Sequence, residues 1–391
     1  MVAGSFLLVA LFLALGGATA ARAAEPAERP SAPPAAYAWR LPPGFPVPLV
    51  PADNPQTQAK VDLGRLLFYE KSLSGNGSYS CASCHRQDLA FTDGRARALG
   101  STGETHPRSA MSLANVAYSA TLTWADARLR RLEDQALIPM VNDHPVEMGL
   151  AGREAEVLAR LRASPGYPAR FAAAFPQSSG PVTMANAARA LAAFERTLLS
   201  GDSPYDRFVY RGDGAALSEP AKRGMKLFFS DRLHCSVCHG GFTFSGPVAF
   251  AGLRPIDPVF HNTGLYNLGG AGAYPEDDPG LWKITGKRED MGRFRAPTLR
   301  NIELTAPYMH DGSIATLEGV VDHYARGGRT ITEGPYGGAG RDSPWKSELV
   351  AGFELDAPGR QDLVEFLRSL TDRSFLTDPS FSDPHAPPPD P

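Results

Sequence analysis

Cys81-Ala-Ser-Cys84-His85 and Cys235-Ser-Val-Cys238-His239 together use every cysteine in this chain of 391 residues. Cys-x-x-Cys-His is the pattern of covalent c-type haem attachment. Two thiols add across the two vinyl groups of a porphyrin, and the adjoining imidazole reaches the iron from the proximal side. A thioredoxin-like redox pair does not need the histidine that follows, and a Cys₂His set on zinc lacks a fourth ligand. Both pentads therefore read as haem c sites, giving two haems c with His85 and His239 as proximal iron ligands.

The sequence ahead of the two pentads is also matched. Gly64-Arg65-Leu66-Leu67-Phe68 precedes the first and Gly224-Met225-Lys226-Leu227-Phe228 the second. The pentads lie 154 residues apart, about the length of one domain. The chain reads as an internal duplication: mainly α, two cytochrome c-like haem lobes with long loops and few short strands. The expected boundaries are a signal peptide (1–24), a flexible leader (25–50), a first haem domain (51–200), a second (201–375) and a disordered Pro-rich tail (376–391). Expected helices span Asp126 to Met140, Arg153 to Ala163, Thr183 to Leu199, Thr316 to Arg326 and Asp356 to Thr371. In the third, Thr183 is a capping residue, Ala187, Ala190, Leu191, Phe194 and Leu198 share a face, and Gly201 stops the run.

Composition bounds the function. Acidic side chains number 42 against 39 basic ones, a net charge of −3, which excludes a general affinity for nucleic acid or anionic lipid. The 39 glycines and 35 prolines stay below the roughly 25–30% typical of low-complexity chains. The apolar run Phe6 to Leu15, followed by Ala21-Arg22-Ala23, has the form of a secretory signal and its cleavage site. That run is far shorter than the ~20 residues a bilayer span needs. An exported, periplasmic protein without a membrane span is expected; its oligomeric state is not legible.

Three longer stretches carry a resemblance: LGRLLFYEKSLSGNGSYSCASCHRQDLAFTDGR (63–95), FHNTGL (260–265) and FRAPTLRNIELTAPYMHDGSIATLEGVVDHYARGG (294–328). From about residue 55 to residue 372 the chain resembles the bacterial di-haem cytochrome c peroxidase and MauG family. The resemblance implies hydrogen peroxide chemistry at the first haem and electron storage at the second. A peroxide-cleaving haem needs an open iron position and a group that moves a proton between the peroxide oxygens. WADARLRRLEDQALIPMVNDHPVEMG (124–149) is similar to the family's distal segment. By that likeness Glu147 is the catalytic acid/base, Gln135 its polar neighbour, Pro139 a matched position and Trp124 the aromatic relay between the haems. The Gln135-to-Glu147 spacing is longer than the pattern, which points to an insertion around Asp143-His144. His106, in the Gly/Ser/Thr-rich stretch 100–108, either ligates the first iron at rest or hydrogen-bonds beside the pocket.

Met309, His310, His323 and Tyr324 compete for the open face of the second haem. On a helix capped by Thr316, the residues Leu317, Val320, Val321 and Tyr324 share a face, while His323 points ~100° away. The family's cytochrome c peroxidases place methionine fourteen residues after the histidine of the HDG motif; here that position is Tyr324, as in MauG. A phenolate is a hard anion that favours higher oxidation states, whereas a thioether favours ferrous iron. The alternative is a core tyrosine with Met309 as ligand. The resemblance also places a calcium ion at Asn115, Thr305 and Pro307, an Arg295 near haem propionates, and His261 and His310 in structural roles.

The expected activity is peroxide-dependent, MauG-like oxidation of a residue on a partner protein. A loose similarity around GGAGRDSPWKSE (337–348) favours the methanobactin-associated (MbnH) branch, which oxidises a tryptophan on a copper-binding protein. One alternative is a cytochrome c peroxidase fed by a small cytochrome c or cupredoxin. Another is a di-haem electron carrier without catalysis.

Overall fold

Six helices among the described residues start the same way: a Thr, Ser or Asp in extended backbone whose side chain accepts the amide hydrogen three residues on. The computed structural model describes Met1 and residues 37–386; the expected signal peptide and the first part of the leader lie outside them. The longer helices are α1 (Gln58–Tyr69), α2 (Glu154–Ala163), α3 (Tyr167–Ala174) and α4 (Met184–Glu195), then α5 (Pro204–Arg211), α6 (Glu219–Phe228), α7 (Leu317–Ala325) and α8 (Ala357–Arg368). The capping residues are Thr57, Thr183, Ser203, Ser218, Thr316 and Asp356. Strands are short antiparallel pairs, Phe260–His261 with Phe294–Arg295 and Thr330–Ile331 with Gly338–Ala339. The fold is mainly helical. No helix among the described residues is long and apolar enough to cross a membrane.

The duplication is physical. In the first lobe α1 crosses α4 at Gly64, where a Cβ would lie 1.9 Å from the Ala190 carbonyl oxygen and 2.9 Å from Phe194 Cβ. In the second, α6 crosses α8 at Gly224, where a Cβ would lie 1.9 Å from the Asp362 oxygen and 2.8 Å from Phe366 Cβ. Only glycine lets two backbones approach so closely. One turn on, Phe68 meets Phe194 with ring centroids 5.3 Å apart, and Phe228 meets Phe366 at 5.1 Å. Each lobe builds its own apolar core around this crossing.

Three expectations are corrected. Residues 126–131 are not helical; helix forms only at Leu132–Gln135 and Leu137–Val141. Upstream, Arg128 folds back onto Asp126, Thr121 donates to the Asp126 carbonyl, and Leu122 N donates to Leu129 O, closing a loop. The last part of the leader, 37–50, is packed: Phe45 lies against Tyr118 and Phe242, and Tyr118 donates to Pro46 O. Residues 376–386 of the expected tail are packed, and 387–391 lie outside the described residues. Phe375 and Phe381 enter the first lobe's core, while Arg65 and Tyr69 hold the carbonyls of Ser382 and Phe381. Phe381, with Phe375 just ahead of the segment, gains more from burial than the segment's prolines suggest, so residues 376–386 cross back onto the first lobe.

Candidate haem and peroxide site

The histidines that close the two pentads are held alike. His85 Nδ1 lies 2.8 Å from Phe91 O, and His239 Nδ1 lies 3.3 Å from Phe244 O and 3.1 Å from Pro297 O. A carbonyl at Nδ1 requires its proton there and leaves the Nε2 lone pair free for iron. Phe91 and Phe244 adopt φ of +61° and +49°, uncommon for bulky residues; the turn that aims each carbonyl is itself part of the site. Burial lowers the pKa of both imidazoles, His239 to about 4, keeping them neutral. All four cysteine side chains are half-buried.

The second pentad opens on a cavity lined by Cys235, Cys238, His239, Tyr324, Met309, His310, Trp124 and Arg295. Leu317, Val320, Val321 and Tyr324 of α7 all face it. His323 does not: it is 4% exposed and lies outside that lining. Burial raises the Tyr324 phenol, helped by the sulfurs of Cys238 and Cys235, with no hydrogen bond contributing. Arg295 donates from Nη1 to Thr121 O, but its Nε is buried without a partner. Desolvation pulls that guanidinium down to about 10. A buried, part-orphaned cation at the rim suits a carboxylate such as a haem propionate. Thiols, a neutral imidazole, an unpaired phenol, an apolar wall and this cation together fit a haem c.

At the first pentad, Glu147 and Glu195 both raise the pKa of the Cys81 thiol behind the larger effect of burial, and Glu147 also raises that of Cys84. Glu147 is itself pushed up to about 7 by desolvation. Its position follows from a close backbone crossing. Ser101 N donates to Glu147 O, and a Cβ on Gly100 would sit 1.7 Å from Val146 O. Asp143 and His144 lie in an exposed turn clipped to Glu104, which bonds His144 Nδ1 at 2.8 Å and Val146 N at 2.9 Å. His106 Nε2 lies 3.8 Å from Glu147 Oε1, and Arg108 N donates to His106 Nδ1. Gln135 is half-buried at the end of its one-turn helix, and Pro139 O accepts from Met148 N.

The lobes meet along 106–111. Arg108 makes a bidentate pair with Asp278 at 2.7 Å, Ser109 N donates to His310 O, and Trp124 Nε1 donates to Ser109 O at 3.1 Å. Trp124 thus stands in the wall of the second cavity, tied to the segment that bears His106. The sequence carries no sign of the Arg108–Asp278 pair. Glu195 was findable: it follows Leu191 by one turn on the buried face of α4, and burial raises its carboxyl to about 8.

Asn115 is paired on both sides with Ser200 backbone, and Thr305 donates to Ile302 O. Among the described residues no group of three or more His, Cys, Asp or Glu side chains could hold a metal ion.

Residues 58–215 match the model of a family described as di-haem cytochrome c peroxidase. The methylamine utilization protein MauG of Methylorubrum extorquens is 35% identical over 320 residues, covering 82% of this chain and 80% of that protein. The cytochrome-c peroxidase IdrP1 of Pseudomonas sp. (strain SCT) is 37% identical over 340 residues, covering 83% and 84%. A crystal structure of a MauG-like protein associated with microbial copper homeostasis aligns with a TM-score of 0.87 at 49% identity, covering 89% of this chain and 99% of that one.

Proposed function

The chain belongs to the di-haem cytochrome c peroxidase and MauG family, peroxidase-type oxidoreductases with two haems c, and from that premise we propose a MauG-like role. In this reading the enzyme uses hydrogen peroxide to oxidise a residue of a partner protein in the periplasm. The haems supply peroxide cleavage and redox storage when bound at Cys81/Cys84/His85 and Cys235/Cys238/His239.

The chain's own groups do the rest. Glu147, poised near neutrality, takes a proton from the inner peroxide oxygen and returns it to the outer one. Gln135 orients peroxide in the same pocket. Trp124 carries electrons between the two sites. Tyr324 would close the second site with an oxygen donor, with Met309 in the same wall as the displaced alternative. Asn115, Thr305 and Pro307 would hold a calcium ion between the lobes. The single observation that carries the MauG-like reading is Tyr324: a phenol with no hydrogen-bond partner contributing to its shift, in the cavity of His239. The high likeness to a MauG-like protein associated with copper homeostasis supports a partner from that setting.

The test is to mix the diferric holoprotein with stoichiometric peroxide. Loss of both ferric Soret signals with a near-infrared charge-resonance band supports this reading. Reaction only after one-electron reduction supports a peroxidase fed by a small cytochrome c or cupredoxin. No response supports a non-catalytic carrier.

A further inference from the structure

Five aromatic side chains run outward from the second cavity in a direction the assigned chemistry does not use. Phe294 and His310 form its wall, stacked at 3.7 Å and 14°. Behind them Tyr274, 4% exposed, has its ring centroid 6.3 Å from Phe294 and 6.5 Å from His310. Tyr266 follows at 5.4 Å from Tyr274, and Tyr336 at 5.8 Å from Tyr266. Tyr266 is 6% exposed; Tyr336 is 41% exposed and ends the series at the surface. Every step is within aromatic contact range.

The series is built. Gly292 has φ +68°, and a Cβ there would lie 2.1 Å from Tyr274, so a glycine makes the slot for that ring. The Tyr266 hydroxyl donates to Asp311 Oδ2 at 2.6 Å. Tyr274 donates to the Asn262 amide oxygen at 2.9 Å, a group that cannot take its proton.

We infer that Tyr266 and Tyr336 form an electron-entry route that joins an oxidisable aromatic side chain of a docked protein to the second haem site. The inference rests on the MauG-like reading. Hydrogen peroxide, the oxidant, takes two electrons and two protons to become two waters. An electron leaves Tyr266 inward through the Tyr274 ring, and the Tyr266 phenolic proton moves to Asp311. Tyr266 then takes an electron from Tyr336 and recovers its proton from Asp311, while the Tyr336 proton goes to water. Tyr336 is restored by an electron from the partner and a proton from water; the partner's oxidised side chain releases that proton.

The test treats diferric holoprotein with stoichiometric peroxide without partner and maps oxidised residues by peptide mass spectrometry, with freeze-quench EPR on ring-deuterated tyrosine. Wild type should show a tyrosyl signal and oxygen addition or cross-linking at Tyr336. Tyr266→Phe, which keeps the ring, should reduce Tyr336 oxidation to background while the Soret response to peroxide persists. Tyr274→Phe, keeping its bridging ring, should leave Tyr336 oxidation in place. Undiminished Tyr336 oxidation in Tyr266→Phe, or oxidation at exposed Trp282 in place of Tyr336, overturns the route and leaves the MauG-like reading standing. No Soret response in wild type overturns both.

Discussion

His106 Nε2 faces Glu147 Oε1 across 3.8 Å, while its Nδ1 accepts the Arg108 amide at 3.1 Å. The second contact decides the first. A nitrogen that accepts an amide hydrogen has no proton, so the neutral ring carries its hydrogen on Nε2, directed at the carboxylate. In this arrangement the Nε2 lone pair is not available to iron.

His106 should therefore not ligate the first haem. Burial lowers its pKa to about 4, so it stays neutral through the physiological range. EPR of the diferric protein should show a high-spin first haem, and His106→Ala should leave that signal in place. A low-spin signal that vanishes in the variant would reverse the assignment.

Glu147 acts as a base only when ionised. With its carboxyl at about 7, the rate of reaction with peroxide should rise with pH through that value and then level off. Glu147→Gln should slow the step by ~10²–10⁴-fold and remove the inflection, read by stopped-flow at the Soret band.

Tyr324→Phe removes the oxygen donor while keeping the ring. The second haem should lose its low-spin ferric spectrum, whereas Met309→Leu should not change it. The opposite pattern would make Met309 the ligand.

Asp278 is 4% exposed at its side chain and pairs with Arg108. Burial alone would raise its carboxyl, but the Arg108 bonds more than offset this, and the net shift is downward. A depressed acid stabilises the fold above its unfolded pKa, and that share is lost as pH falls through the folded value. Asp278→Asn, which leaves Arg108 unpaired, should cost about 3–5 kcal/mol, measured by urea unfolding at neutral pH, with a smaller loss in acid.

Gly224→Ala places a methyl 1.9 Å from a backbone oxygen, where no side chain can yield. The helices must separate, at a cost of about 1–3 kcal/mol or more. Gly64→Ala should behave alike in the other lobe, both seen as lowered Tm.

The haem pentads, the duplication and four of the five expected helices were legible in the primary structure because each is a local signal. Thr183, Thr316 and Asp356 cap the bonds of their own first turns, and the face bearing Leu317, Val320, Val321 and Tyr324 follows from helical periodicity alone. Pairings between distant segments left no such trace. Arg108 finds Asp278 across 170 positions, and Arg65 finds the Ser382 carbonyl across 317. The contact of His106 with Glu147, the cavity shared by Tyr324 and Met309, and the row from Tyr274 to Tyr336 belong to the same class. Covalent attachment and helix phase depend on residues a turn or two apart. Which acid meets which base depends on how whole lobes close, and that depends on burial summed over both cores.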